Sequence, residues 1–189
     1  MAKSSRIIYS VIASLDGYMT DADGDFSWAF PSEEAVASLT TDLAGVSTFL
    51  YGRRMYETMR GWETDPTYAE GSPASAEFAA AWTAAEKVVF SRTLDRVDTS
   101  RTRLERALSR ELVERLRTES EGDLTIEGPT LAADAFRLGL VDVVEVMLCP
   151  VIIGGGLPIF PDGVRLDLTL TNEKRFENGF VQLSYARRD

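Results

Sequence analysis

Residues 126–160 read IEGPTLAADAFRLGLVDVVEVMLCPVIIGGGLPIF, and their punctuation decides the fold. A β-favouring run at 123–127 (DLTIE) stops at Gly128-Pro129. Proline lacks an amide hydrogen and holds φ near the helical value, so Pro129 suits the first position of a helix. The helix is expected to reach about Leu138, where Gly139 ends it. Residues 141–153 then read as a long strand, or as one broken at Pro150, and Gly154-Gly155-Gly156 turns the chain. Strand, helix and strand in succession are the signature of an α/β layer structure.

The alternation extends outward from this stretch. Residues 6–14 (RIIYSVIAS) are apolar and rich in β-branched side chains, as in a strand buried on both faces. Residues 15–31 (LDGYMTDADGDFSWAFP) form a long loop, of a length that is often functional. Ser32 is a good N-cap, with Glu33 and Glu34 favourable in the first turn of a helix that runs to about Gly45. A strand at 46–51 (VSTFLY) leads through Gly52 into a short helix, RRMYETMRG, stopped by Gly61. Residues 62–74 carry Pro66, Gly71 and Pro73 and read as a loop, and the alanine-rich 74–86 as a helix. A strand at 87–91 (KVVFS) precedes an amphipathic helix at 105–118, with Leu108, Leu112, Val113 and Leu116 on one face. Residues 164–175 and 179–187 flank Glu177-Asn178-Gly179 as a terminal hairpin. With no repeat, low-complexity tract or boundary in view, the expectation is one domain over 1–189. It would be an α/β sandwich with a mostly parallel sheet and an antiparallel C-terminal edge.

Composition narrows the chemistry. The chain is 44% hydrophobic and 26% charged over 189 residues, as in a globular protein. Its 30 acids against 20 bases give a net charge of −10. That field disfavours nucleic acid and anionic membrane, which need a basic footprint, but it permits a small anion held by local arginines. Histidine is absent and Cys149 is the single cysteine. Ser-His-Asp and Cys-His catalysis are thereby excluded, as are zinc centres built from His or Cys, and no metal site is expected. Cys149, inside the apolar run 143–153, reads as a buried, inert thiol, and one cysteine without an internal disulfide suits a reducing, cytoplasmic setting. The same run, interrupted by Glu145 and Pro150, falls well short of the ~20 apolar residues of a membrane span. Lys3 and Arg6 ahead of the apolar residues 7–13 mimic a signal peptide only weakly, since the core is short and Asp16 follows at once.

Three expected strand ends lead into polar turns: Tyr51-Gly52-Arg53-Arg54, Phe90-Ser91-Arg92-Thr93 and Glu127-Gly128-Pro129-Thr130. In open α/β sheets, ligands bind beyond the carboxyl ends of the strands. Helix amino ends after Gly52 and Gly128 would aim free amides there, and Arg53, Arg54 and Arg92 add positive charge, which together suit a nucleotide phosphate. The plainer alternative is that Gly52 eases a turn and the arginines are surface charges.

These motifs resemble, in order and over nearly the whole chain, the dihydrofolate reductase-like superfamily. The likeness is greatest to the reductase domain of bacterial riboflavin-pathway deaminase–reductases and their stand-alone relatives. Residues 6–20 (RIIYSVIASLDGYMT), with Gly24-Asp25 and Trp28, resemble the family's opening. LYGRRMYETM (50–59) resembles its cofactor motif, VVFSRTL (88–94) its serine turn, and 126–160 its most distinctive stretch. The resemblance implies a three-layer α/β/α sandwich, an NADPH-dependent oxidoreductase and, often, a homodimer. It implies NADPH phosphates at Gly52, Arg53 and Arg54, at Ser91, Arg92 and Thr93, and at Gly128, Pro129, Thr130 and Leu131. The nicotinamide would lie near Ala13 and the loop at 15–28. Arginine forks bind a 2′-phosphate bidentately, an interaction NADH lacks.

Trp28-Ala-Phe-Pro31-Ser-Glu33 resembles the Trp-x-x-Pro-x-acid of dihydrofolate reductases, in which the acid assists protonation of the pterin. Glu33 would be its equivalent here, unless it serves only the helix dipole. Asp16 either contacts substrate or sets the Asp-Gly turn, and Trp28 would line the cleft, the alternative being a buried core tryptophan. Met55 stands where the family often has threonine, and Glu127 where many members have glycine; an acid there repels pyrophosphate unless it is turned away. The expected function is reduction of a C=N or C=O bond in a small heterocycle. The substrate would be like a ribosylaminopyrimidine, as in 5-amino-6-(5-phosphoribosylamino)uracil reductases, or like a pteridine. A dihydrofolate-type reductase is the alternative among enzymes, and a non-catalytic nucleotide-binding or dimeric scaffold protein the alternative outside them. No deaminase domain is expected, and without histidine its zinc site cannot be rebuilt.

Overall fold

In the computed structural model, which describes residues 5–188, the elements begin where their capping chemistry stands. Lys3 lies outside the described residues. In chain order they are β1 (Ile7–Ser14), β2 (Tyr18–Thr20), α1 (Glu33–Asp42), β3 (Val46–Gly52), α2 (Arg53–Met59), α3 (Gly61–Thr64), α4 (Pro66–Glu70), α5 (Pro73–Ala84), β4 (Glu86–Phe90) and β5 (Thr102–Glu105). There follow α6 (Arg110–Glu119), β6 (Asp123–Glu127), α7 (Pro129–Arg137), β7 (Val143–Cys149), β8 (Leu157–Pro158), β9 (Leu168–Arg175) and β10 (Val181–Arg187). The Ser32 hydroxyl accepts from the Ala35 amide at 3.3 Å and starts α1; Ser72 and Ser109 do the same for α5 and α6.

The eight-stranded sheet has the order β5-β4-β3-β6-β1-β7-β10-β9. Every pairing from β5 to β7 is parallel, and β10 is antiparallel to both β7 and β9. Strand alternation separates two cores. Tyr9, Val11, Leu50, Val88, Ile126, Val144 and Val146 face α6 and α7, meeting Val113, Leu116, Ala132 and Phe136. On the other face Phe49, Tyr51 and Val89 meet Tyr56 of α2 and Phe78 and Trp82 of α5, while Met147 and Cys149 meet Ala35 of α1. The result is the expected three-layer α/β/α sandwich with its antiparallel C-terminal hairpin. Among the described residues no helix is long and apolar enough to cross a membrane. Cys149 is buried, and burial pushes its thiol up to about 11, so it stays protonated at neutral pH.

Several local expectations need correction. Residues 62–74 are helical over α3 and α4, because Asp65 accepts the Thr67 amide at 3.0 Å and Pro66 occupies the first helical position. Gly61 opens α3 rather than ending the preceding helix, which stops at Met59. Strand β5 falls where no strand was expected, and β2 and β8 pair inside segments read as loop and turn. The terminal hairpin starts at Leu168, later than 164. Lys87 is fully buried: its ammonium donates to the carbonyls of Trp82 (2.9 Å), Ala85 (3.0 Å) and Thr83 (3.4 Å), closing the carboxyl end of α5 and holding Trp82 in place.

The glycine turn shows why side chains are excluded there. A Cβ on Gly156 would stand 1.9 Å from the Thr20 carbonyl oxygen, so β8 closes on β2 only through a bare backbone. Gly154, with φ +78°, has open space around it. Gly156→Ala is therefore expected to lower stability by about 2–3 kcal/mol. Gly154→Ala should lose only about 1 kcal/mol from its backbone conformation. Urea unfolding midpoints check the order.

Candidate active site

Parallel pairing delivers the carboxyl ends of β4, β3, β6 and β1 to one edge. There the three arginine- and glycine-bearing turns converge. The Arg53 guanidinium donates to the Thr93 hydroxyl at 3.0 Å and to Glu57 at 2.7 Å, joining the turn after β3 to the turn after β4. The Ser91 hydroxyl accepts from the amides of Thr93 (3.2 Å) and Leu94 (3.0 Å). Arg106, which the sequence did not single out, grips that turn through the carbonyls of Ser91 (3.1 Å) and Leu94 (2.8 Å). Arg54 and Arg92 are exposed.

The turn after β6 closes against the same region. Gly128 has φ +93°, and a Cβ on it would meet the Met55 Cβ at 3.4 Å; one on Gly52 would meet the Leu131 Cβ at 3.7 Å. Side chains of Ser32, Asp65, Ser72 and Ser109 cap α1, α4, α5 and α6, whereas α7 begins on Gly128 with no capping side chain. Its first-turn amides point to the edge without a side-chain acceptor. Pro129 and Leu131 are buried and anchor α7 to the core, and Thr130 is exposed.

Beside these turns, on the α1 face, a strip of the sheet is left partly uncovered, and this strip is the candidate cleft. In a central strand covered by helices both faces should be buried, yet Ser10 and Ile12 of β1 and Glu127 of β6 are all partly exposed on that one face. They form its floor. Ala13 is fully buried with its side chain toward α6 and α7, which leaves only its backbone for a ligand. Trp28 packs beside Ala35 and Met147, and its indole nitrogen is buried with no hydrogen-bond partner among the described residues. The Asp16 carboxylate accepts from the amides of Gly154 (2.8 Å) and Ile153 (3.2 Å). The Ser14 hydroxyl and these amides hold it below the usual carboxylate range, and it clasps the two loops together. Glu33 is exposed in the first turn of α1.

The cross-strand register sets a polar row in this face that the sequence reading did not assemble. Tyr51 lies opposite Glu127, Glu127 opposite Ser10, and Ser10 opposite Glu145. Trp82 Nε1 donates to Tyr51 Oη at 2.9 Å, and the Tyr51 hydroxyl in turn interacts with the Glu127 carboxyl. Glu127 is thus turned onto Tyr51, on the face opposite α7. Burial pushes its carboxyl up to about 7, the phenol holding back part of the rise. Glu145 is also pushed up to about 7, by burial and then by the negative charge of Asp42. The signal in the sequence is a lone acid at an inward position of an apolar strand, as in DLTIE and VVEVM.

The profile of the RibD C-terminal domain family matches residues 5–182. The chain is 28% identical over 185 residues to the uncharacterized protein YyaP of Bacillus subtilis (strain 168), covering 97% of this chain and 95% of that one. Among solved structures it is similar to a protein from Shewanella sp. PV-4 whose name proposes a place in riboflavin biosynthesis. The TM-score is 0.77 at 19% identity, over 97% of this chain and 99% of the other. It is similar also to dihydrofolate reductase from Enterococcus faecalis complexed with NADP(H) and RAB-propyl, with a TM-score of 0.65 at 14% identity and 98% of both chains covered. At these identities the structural likenesses speak for the fold.

The two raised carboxyls make stability depend on pH. From about pH 4.5 to about pH 7 the unfolded chain releases protons that the folded chain keeps, so stability falls as pH rises through that window and levels above it. The loss is expected to be on the order of 2–3 kcal/mol for each group. Glu127→Gln and Glu145→Gln should each flatten part of the slope in urea unfolding between about pH 5 and about pH 8.

Proposed function

The chain belongs to the RibD C-terminal domain family, and on that premise we propose that it is an NADPH-dependent reductase of a small heterocycle. The observation that carries the reading is the convergence at one sheet edge of the uncapped start of α7 with the turns bearing Arg53, Arg54 and Arg92. Amides at a helix start and arginine forks are the two protein groups best suited to phosphate oxygens. The residues present fit a dinucleotide. Gly128 lets the chain approach a pyrophosphate closely, and Glu127 is turned away onto Tyr51, which removes the repulsion its position threatened. Arg53, Arg54, Arg92, Ser91 and Thr93 would hold the phosphates, with the 2′-phosphate on the exposed arginines. When bound, NADPH supplies a hydride.

The substrate would lie on Ser10 and Ile12, against Trp28. A flat heterocycle, such as a ribosylaminopyrimidine or a pteridine, suits an indole wall. Asp16 serves by tying the loop at 15–17 to the glycine turn, which keeps the cleft wall in place.

Thermal unfolding with NADPH, NADH or no ligand tests the reading. At about 100 times Kd, NADPH should add ~2.7 kcal/mol and raise Tm by about 5–10 °C. NADH should do less, and Arg54→Leu or Arg92→Leu should erase the difference between the two. No shift with either dinucleotide at millimolar concentration overturns the proposal. A shift with no turnover of 5-amino-6-(5-phosphoribosylamino)uracil or dihydrofolate would mark a nucleotide-binding module instead.

A further inference from the structure

We propose that Glu127 donates the proton that accompanies hydride transfer in this cleft, with Tyr51, oriented by Trp82, as the positioning residue behind it. The inference rests on the reductase reading above and names the proton source that reading lacks. Glu127 is the last residue of β6, directly before Gly128, and shares the cleft floor with Ser10 and Ile12. It is only partly exposed.

The relay behind it is directional. An indole nitrogen can only donate, so the 2.9 Å bond from Trp82 Nε1 occupies a lone pair of Tyr51 Oη and leaves the phenol proton to point at Glu127. The carboxyl then accepts from Tyr51 through one oxygen and presents its own O–H through the other. Once that proton has left, the same phenol bond stabilises the carboxylate, so the group can be recharged from water. Trp82 is itself locked by the buried Lys87, whose ammonium sits 4.3 Å over the ring.

The other acids near the cleft are less suited. Asp16 has both oxygens on backbone amides and stays ionised, and Glu33 is exposed to water. Around Glu127, β3 presents Tyr51 and β7 presents Glu145 across Ser10, while α1 and α2 bring Val36 and Met55 to the cluster that holds Tyr51. Burial holds the carboxyl near neutrality, with the Tyr51 hydroxyl working against the rise.

In the reaction, the electrophilic carbon of the substrate takes the hydride and forms a C–H bond. The π bond of C=N or C=O breaks onto its heteroatom, which takes the Glu127 proton as the carboxyl O–H bond breaks. The two electrons come from the reduced nicotinamide, which leaves oxidised, and water returns a proton to Glu127.

The experiment has two arms. In the first, carboxyl carbons of the cofactor-free chain are titrated by NMR. Two glutamates should titrate near neutrality, Glu127→Gln should remove one of them, and Tyr51→Phe should move that one upward. In the second, kcat is followed against pH with NADPH and either 5-amino-6-(5-phosphoribosylamino)uracil or dihydrofolate. The rate should fall above about pH 7, and Glu127→Gln should lower kcat by about 10²–10⁴-fold, keep the NADPH-induced rise in Tm, and lose the pH dependence. Tyr51→Phe should shift the fall upward while retaining most of kcat. Should Glu127→Gln not fold, the wild-type titration and Tyr51→Phe decide. A Glu127 that titrates in the ordinary carboxylate range, or a Glu127→Gln chain with wild-type kcat, overturns this inference alone. A wild-type chain that binds no NADPH overturns the reductase reading and this one with it.

Discussion

The structure depends on how strand β1 is held in its slot between β6 and β7. Both neighbours are parallel to it, and two carboxylates at the amino edge set its register. Asp123 accepts the Arg6 amide at 2.8 Å and the Arg6 guanidinium at 2.9 and 2.6 Å. Asp142 accepts the Ile7 amide at 2.8 Å and is itself paired with Arg117 at 2.7 Å. Side chains alternate along a strand, so a slip of one residue would exchange the faces. Tyr9 and Val11 would then enter the cleft, and Ser10 and Ile12 would be driven into the core beneath α6 and α7. The two aspartates, remote from the cleft, therefore decide what lines it.

Parallel pairing has a further consequence. It sends every carboxyl end from β4 to β1 to one edge, and each return needs a crossover long enough for a helix. The glycine- and arginine-bearing turns gather there without having to be close in the sequence. Local charge follows the same logic: a chain of net charge −10 brings Arg53, Arg54 and Arg92 to one edge, a local concentration of positive charge in an acidic molecule.

The sheet also carries polarity where a parallel sheet is normally apolar. Tyr51, Glu127, Ser10 and Glu145 form one row across four strands. Burying such groups costs stability unless they are hydrogen-bonded or neutral. Tyr51 is satisfied by Trp82, and the two glutamates keep their protons up to near neutral pH. Such a row in the middle of a sheet is what the proposed proton donation would use.

The amino-acid sequence by itself determined the alternation of strand and helix, the glycine and proline turns, the arginine positions, the absence of histidine chemistry and, through ordered motifs, the family. These are local properties, legible in windows of a few residues. Short or edge elements escaped it. Strand β5 (TRLE) lacks an apolar pattern because it lies at the sheet edge, and α3 and α4 are too short to be stable without their tertiary neighbours. Only the tertiary structure decided that Asp16 is bound to the glycine turn, that Arg53 meets Thr93, and that Glu127 turns to Tyr51 rather than to the arginine-bearing edge. Each of those outcomes joins residues far apart in the chain, and strand register and packing, which no local window contains, select the partner.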